Sequence, residues 1–181
     1  MGEYRAKDLV LVPGLLSLAR LPLSAVFVLT LGRPFVAFGV LVLAGITDVL
    51  DGWYARTRNQ TTATGAVVDA ITDKVFVACV VVSLVATHHM SVAESLLLGT
   101  REVGELPLVL RLAFSKKARR ARTERKANLP GKLATMLQFL AVTAVLFGVP
   151  RYDALLWLTA GAGAVAALTY WLREREEAQA A

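Results

Sequence analysis

Apolar residues run along this chain in six long blocks, divided by short polar or charged breaks. The blocks cover about 11–31, 34–54, 65–87, 91–114, 129–149 and 154–172. Each is near the roughly 20 residues that a helix needs to cross a bilayer. The fourth is the most polar. Pro34 opens the second block and Pro130 stands at the start of the fifth, where a proline costs a helix nothing. The pattern predicts an all-α integral membrane protein with six transmembrane helices. Residues 1–10 mix charged and apolar positions, which predicts a short interfacial segment. Residues 173–181 form a charged C-terminal tail. With no internal repeat and no composition break, residues 1–181 are expected to form one domain with 11–172 as its core. The first block carries Pro13 and Arg20 and has no small-residue cleavage site, so an uncleaved first span is expected.

Composition agrees with lipid as solvent. Of 181 residues, 56% are hydrophobic, and the mean hydropathy is +0.56; a soluble domain has a different balance. Basic residues are asymmetrically placed. Arg56 and Arg58 follow the second block, a run from Lys116 to Lys126 follows the fourth, and Arg173 and Arg175 follow the sixth. The alternate breaks hold only Arg33, His88-His89 and Arg151. Positive residues stay on the cytoplasmic side, so both termini are expected there, in a plasma or inner membrane. The formal charge of +6 then belongs to loops on anionic headgroups. The Lys116–Lys126 run has no aromatic interleaving, and nucleic acid is not an expected partner. Cys79 is the only cysteine, so an intrachain disulfide is excluded and an apolar thiol is expected.

Against this background the aspartates stand out. Four of the six in the chain lie between positions 48 and 73. Carboxylates in a membrane segment are costly and are seldom there without a function. Asp48, Asp51 and Ala55 recur at i, i+3 and i+7, on one helix face. Gly65, Asp69 and Asp73 recur at i, i+4 and i+8, on one face of the next helix. The short polar link between them makes the helices antiparallel neighbours, so four carboxylates are expected to converge. Such a group repels itself unless cations are bound. Hard carboxylate oxygens suit Mg²⁺ or Mn²⁺, and two ions about 3.5–4 Å apart are the usual reason to gather so many at a phosphoryl-transfer site. Gly52 and Gly65 allow close approach of a ligand or a helix backbone. Arg56, one turn past Asp51, has a planar fork suited to a phosphate oxygen. The parts together suggest a pyrophosphate substrate held on metal.

The spacing D-x2-D-G-x2-A-R-x8-G-x3-D-x3-D, from Asp48 to Asp73, resembles the signature of the CDP-alcohol phosphotransferase family at all eight fixed positions. Pro13, Ser17 and Arg20 are similar to the family's N-terminal P-N-x2-T-x2-R pattern. Arg101-Glu102, Gly131-Lys132, Thr135 and Gln138, and the Asp73-Lys74 pair, resemble patterns of its phosphatidylglycerophosphate synthase branch. The likeness is most specific in Asp48–Asp73.

The resemblance implies a phospholipid-synthesising membrane enzyme. It would transfer a phosphatidyl group from CDP-diacylglycerol to an alcohol and release CMP, using two Mg²⁺ or Mn²⁺ ions. It implies Asp48, Asp51 and Asp69 as metal ligands, with Asp73 as general base and a possible further ligand. Asp48, Gly52, Ala55, Arg56, Gly65 and Asp69 would line the CDP site. Glycerol 3-phosphate is the expected acceptor; phosphatidylglycerol, an inositol phosphate and serine are the alternatives. Arg20, Arg101 and Lys132 are candidates for an acceptor phosphate. Arg20 and Arg101 are intramembrane cations, which calls for a polar cavity or a carboxylate partner; for Arg101 the alternative is a bridge to Glu102 or Glu105. A homodimer in membrane lipid, with the site open to the cytoplasm, is implied as well. The chain departs from the family at Gly14, Ala70 and Ala134, which bears on the acceptor. Two other classes use carboxylates in membranes, intramembrane prenyltransferases and cation transporters. Neither carries the D-G-x2-A-R core.

Overall fold

The computed structural model describes residues 12–58, 63–114 and 129–179. Every regular element among them is a helix. The chain forms two compact units, 1–88 and 89–181. The first contains α1 (Val12–Leu18), α2 (Arg20–Thr30), α3 (Pro34–Thr57) and α4 (Ala63–Ala86). The second contains α5 (Val92–Leu98), α6 (Thr100–Phe114), α7 (Leu129–Leu146) and α8 (Asp153–Gln179).

Among the described residues, three stretches are long and apolar enough to cross a membrane: Pro34–Ala55, Leu129–Leu146 and Asp153–Leu172. A shorter apolar stretch covers Gly14–Thr30. At 24 residues, α4 is as long as α3, but Asp69, Asp73 and Lys74 fall in every 18-residue stretch of it. Large apolar side chains such as Leu29, Phe35, Val49 and Trp157 are exposed, as expected where lipid covers the surface.

The first and fourth apolar blocks each form two successive helices. In the first, the break is at Ala19. Pro22 lacks an N–H for the Leu18 carbonyl, and its ring crowds that carbonyl, so α1 stops at Leu18. In the fourth, Gly99 separates α5 from α6. The Thr100 hydroxyl donates to the carbonyls of Leu96 and Leu97, at 3.1 and 2.8 Å, and seals the end of α5. A capping box fixes the start of α5: Ser91 accepts from the Glu94 N–H, and Glu94 accepts from the Ser91 N–H. The fifth block stops at Leu146 because Gly148, at φ +61°, closes α7. The Gly148 and Val149 N–H groups turn back to the Val145 and Ala144 carbonyls. The sixth continues as helix to Gln179, through the stretch expected to be a tail.

In the first unit, α1 and α2 pack on both α3 and α4. The buried row of α3 is Ala37, Val40, Leu41, Ala44 and Asp51, at helical spacing. That of α4 is Thr72, Phe76, Val80 and Leu84. Phe27 of α2 meets Phe76 with ring centroids 6.5 Å apart, fixing α2 against α4.

In the second unit, α8 packs on α5, α6 and α7. Two glycines let α6 and α8 touch. A Cβ on Gly104 would lie 2.7 Å from the Ala167 Cβ, and one on Gly163 would lie 2.9 Å from the Arg101 backbone nitrogen. The Trp171 indole donates to the Gly104 carbonyl at 3.0 Å across the same contact.

Candidate metal centre

The buried row of α3 carries Asp51 inward, one helical face below Ala44. Asp48, three residues earlier, keeps about half of its side chain exposed. On α4, Asp69 lies one turn before the buried Thr72 and is half-buried. One carboxylate oxygen from each of Asp48, Asp51 and Asp69 can be chosen so that all three lie within 4.8 Å of one another. Hence two helices separated by a polar link bring three of the four carboxylates to one point.

Asp73 is placed differently. It follows Thr72, a further 100° around α4, and is exposed. It stands outside the three-carboxylate group, yet close enough to Asp48 for their charges to interact. Gly52 and Ala55 follow Asp51 on α3, and Gly65 precedes Asp69 by one turn of α4; all three are half-buried. The backbone places Arg56 in the last turn of α3.

The centre of the group is held by Arg20. Its side chain is 1% exposed. Nη1 donates to Asp69 Oδ1 at 2.8 Å. Nη2 donates to Asp51 Oδ2 and lies 3.0 Å from Asp48 Oδ1. Ser17 Oγ also donates to Asp51 Oδ2, at 3.0 Å. The break at Ala19 sets Ser17 in the last turn of α1 and Arg20 at the start of α2. A buried guanidinium is stable only when its charge is paired, and three carboxylates do this. Nε is the exception: it is buried and has no hydrogen-bond partner among the described residues.

The residues fit a divalent cation. The donors are hard oxygens from carboxylates that already converge. A positive group sits among them, so the geometry suits a cation at that point.

A second polar cluster lies in the other unit. Arg101 Nε donates to Glu105 Oε1 at 2.9 Å, and Nη1 donates to the Thr135 hydroxyl. Gln138 donates to Glu102 Oε2 at 2.9 Å and to the Leu98 carbonyl at 3.1 Å. Arg101 is thus bridged to Glu105, and Glu102 is engaged by Gln138. Lys132 is exposed in the first turn of α7. Of the three candidates for an acceptor phosphate, Arg20 falls in the first unit, Arg101 and Lys132 in the second. The basic run Lys116–Lys126 and the N-terminal segment 1–10 lie outside the described residues.

Sequence reasoning called for a polar cavity or a carboxylate partner for Arg20 without identifying either, and gave Ser17 no place at the carboxylates. The signal for both was the i, i+3 spacing of Ser17 and Arg20 beside Pro22. Which helix they would face was not in that spacing.

Comparison with known proteins adds to this geometry. CDP-diacylglycerol–glycerol-3-phosphate 3-phosphatidyltransferase of Pectobacterium atrosepticum is 33% identical over 171 residues, covering 88% of this chain and 89% of that protein. The enzyme of the same name from Rickettsia typhi is 32% identical over 149 residues, 76% of each chain. Cardiolipin synthase (CMP-forming) of Rattus norvegicus is 39% identical over 95 residues, 51% of this chain. The chain spans about a third of the length of the cardiolipin synthases it matches, 32% for the rat protein. The sequence profile of CDP-alcohol phosphatidyltransferases matches residues 10–171, from before α1 into the last part of α8. That span takes in Ser17, Arg20 and every aspartate of the centre, and the chain belongs to the CDP-alcohol phosphatidyltransferase family.

Proposed function

We propose that this protein transfers a phosphatidyl group from CDP-diacylglycerol to glycerol 3-phosphate in phospholipid synthesis, releasing CMP. The observation that carries the reading is the meeting of Asp48, Asp51 and Asp69 from two helices at one point, within the family's signature. The likeness to two glycerol-3-phosphate phosphatidyltransferases, over 88% and 76% of this chain, supports the acceptor. The shorter likeness to cardiolipin synthase favours phosphatidylglycerol as the second candidate.

Asp48, Asp51 and Asp69 hold two Mg²⁺ or Mn²⁺ ions. Bound there, the ions supply charge neutralisation for the pyrophosphate and for the leaving CMP. Gly52, Ala55 and Gly65 leave room for the nucleotide beside the carboxylates, and Arg56 pairs with a phosphate oxygen. Asp73, exposed and within electrostatic reach of Asp48, accepts the proton of the attacking hydroxyl. Arg20, Arg101 and Lys132 are the candidate cations for the acceptor phosphate. Six membrane segments are formed by α1 with α2, α3, α4, α5 with α6, α7 and α8. Both termini and the aspartates face the cytoplasm, by the distribution of basic residues. The protein works as a homodimer in the plasma or inner membrane, with 1–181 acting as one functional domain.

The test is CMP release by purified protein with CDP-diacylglycerol and Mg²⁺ or Mn²⁺, one acceptor at a time, with the lipid product weighed. Release with glycerol 3-phosphate alone is expected. Release only with phosphatidylglycerol would replace the acceptor, and no release with any acceptor would overturn the reading.

A further inference from the structure

We propose that the Arg20 guanidinium competes with divalent metal for the carboxylates of Asp48, Asp51 and Asp69, and that metal must displace it to bind. The inference rests on the reading of Asp48, Asp51 and Asp69 as metal ligands. It concerns what holds those ligands together before metal arrives.

Three observations carry it. First, one guanidinium contacts all three carboxylates, through Asp48 Oδ1, Asp51 Oδ2 and Asp69 Oδ1. A cation bound to those oxygens meets a positive charge at contact distance, where like charges in a partly buried site repel strongly. Second, Arg20 leaves the group incompletely neutralised. Three carboxylates and one guanidinium keep a net charge of −2, so the group still attracts a divalent ion. Third, the Arg20 position is a compromise. Its Nε is buried without a partner among the described residues, and an unmet buried N–H carries a desolvation penalty. The carboxylates hold the side chain where its own hydrogen bonding is unfinished. Once metal neutralises them, that hold weakens. Pro22 has no N–H for the Leu18 carbonyl, so the backbone beside Arg20 carries one helical bond fewer than in mid-helix.

Arg20 is therefore a positioning residue. It assembles α3 and α4 around the site without metal, and it sets how much metal is needed to load it.

Mn²⁺ binding to nucleotide-free protein in detergent, followed by electron paramagnetic resonance, tests this without turnover. Arg20→Gln is expected to bind Mn²⁺ about tenfold more tightly or better, since the competing charge is gone. Its metal-free form should melt at lower temperature than the wild type and should gain more from Mn²⁺. Arg20→Lys keeps one charge but cannot bridge three carboxylates with a single ammonium. Its affinity should lie between the two, and it tests the proposal if Arg20→Gln does not fold. Equal or weaker Mn²⁺ binding in the substituted proteins, with wild-type binding still lost in Asp51→Asn, would overturn the role of Arg20 and leave the metal reading intact. Wild-type Mn²⁺ binding that is unchanged in Asp51→Asn would sink both.

Discussion

Arg20 donates to Asp69 at 2.8 Å across 49 residues of sequence, tying the start of α2 to α4. The same guanidinium reaches Asp51 and Asp48 on α3. With Ser17 of α1 donating to Asp51, the centre is a contact among four helices, although the signature motif lies on only two.

Asp69→Asn and Asp51→Asn should each lower turnover by at least about a hundredfold, the scale of losing one group that stabilises developing charge. Both proteins should still extract and run as folded species, because each change preserves shape and retains an amide acceptor. Normal CMP release from either would show that these carboxylates are not ligands.

Asp73→Asn should separate chemistry from metal binding. Loss of a general base lowers kcat by about 10²–10⁴. Asp73 lies outside the three-carboxylate group, so Mn²⁺ affinity should stay near that of the wild type. Parallel loss of metal and turnover would instead make it a ligand.

Gly104→Ala should weaken the second unit by about 1–3 kcal/mol, the usual cost of overpacking. The new methyl would stand 2.7 Å from Ala167 Cβ, on a helix that has little room to yield. Adding Ala167→Gly removes that clash and should restore part of the loss, less about 1 kcal/mol for a second helical glycine. Reversible unfolding in mixed micelles would measure both. A double variant no better than Gly104→Ala would mean that the α6–α8 contact is looser than described.

Tyr152 offers a pH test outside the spanning stretches. Its hydroxyl donates to Glu94 Oε1 at 2.6 Å, and this bond, with a lesser part from burial, pushes the phenol up to about 12. The protonated form is the one that donates. Its contribution to stability is therefore complete below the ordinary tyrosine value of about 10 and disappears as pH rises through about 12. Ultraviolet titration should show the Tyr152 phenol ionising late, and Glu94→Ala should move it back toward its ordinary value. A late ionisation that Glu94→Ala leaves unmoved would contradict the bond.

The parts legible in the sequence were those with local causes. Helical spacing placed Asp48 and Asp51 on one face and Asp69 on another, and the polar link made their helices meet. The starts of α3 and α7 followed from Pro34 and Pro130. The breaks at Ala19 and Gly99 were also locally encoded, by Pro22 and by the Gly99-Thr100 pair, but mean hydropathy runs smoothly across both and hides them. Asp73 shows the limit of face arithmetic. Four residues on a helix shift the angle by about 40°, enough to carry a side chain from a buried seam to its edge. The pairing of Arg20 with α3 and α4 depends on how α2 packs, and no period in the sequence carries that.

The bond from Trp171 to the Gly104 carbonyl turns one side chain into a natural optical probe. Trp53 and Trp157 are exposed on apolar helices, whereas Trp171 is half-buried and tied to α6. Brominated lipid tails would quench the first two and spare the third. The surviving emission would then report on the α6–α8 seam alone, in a native membrane and without any attached dye.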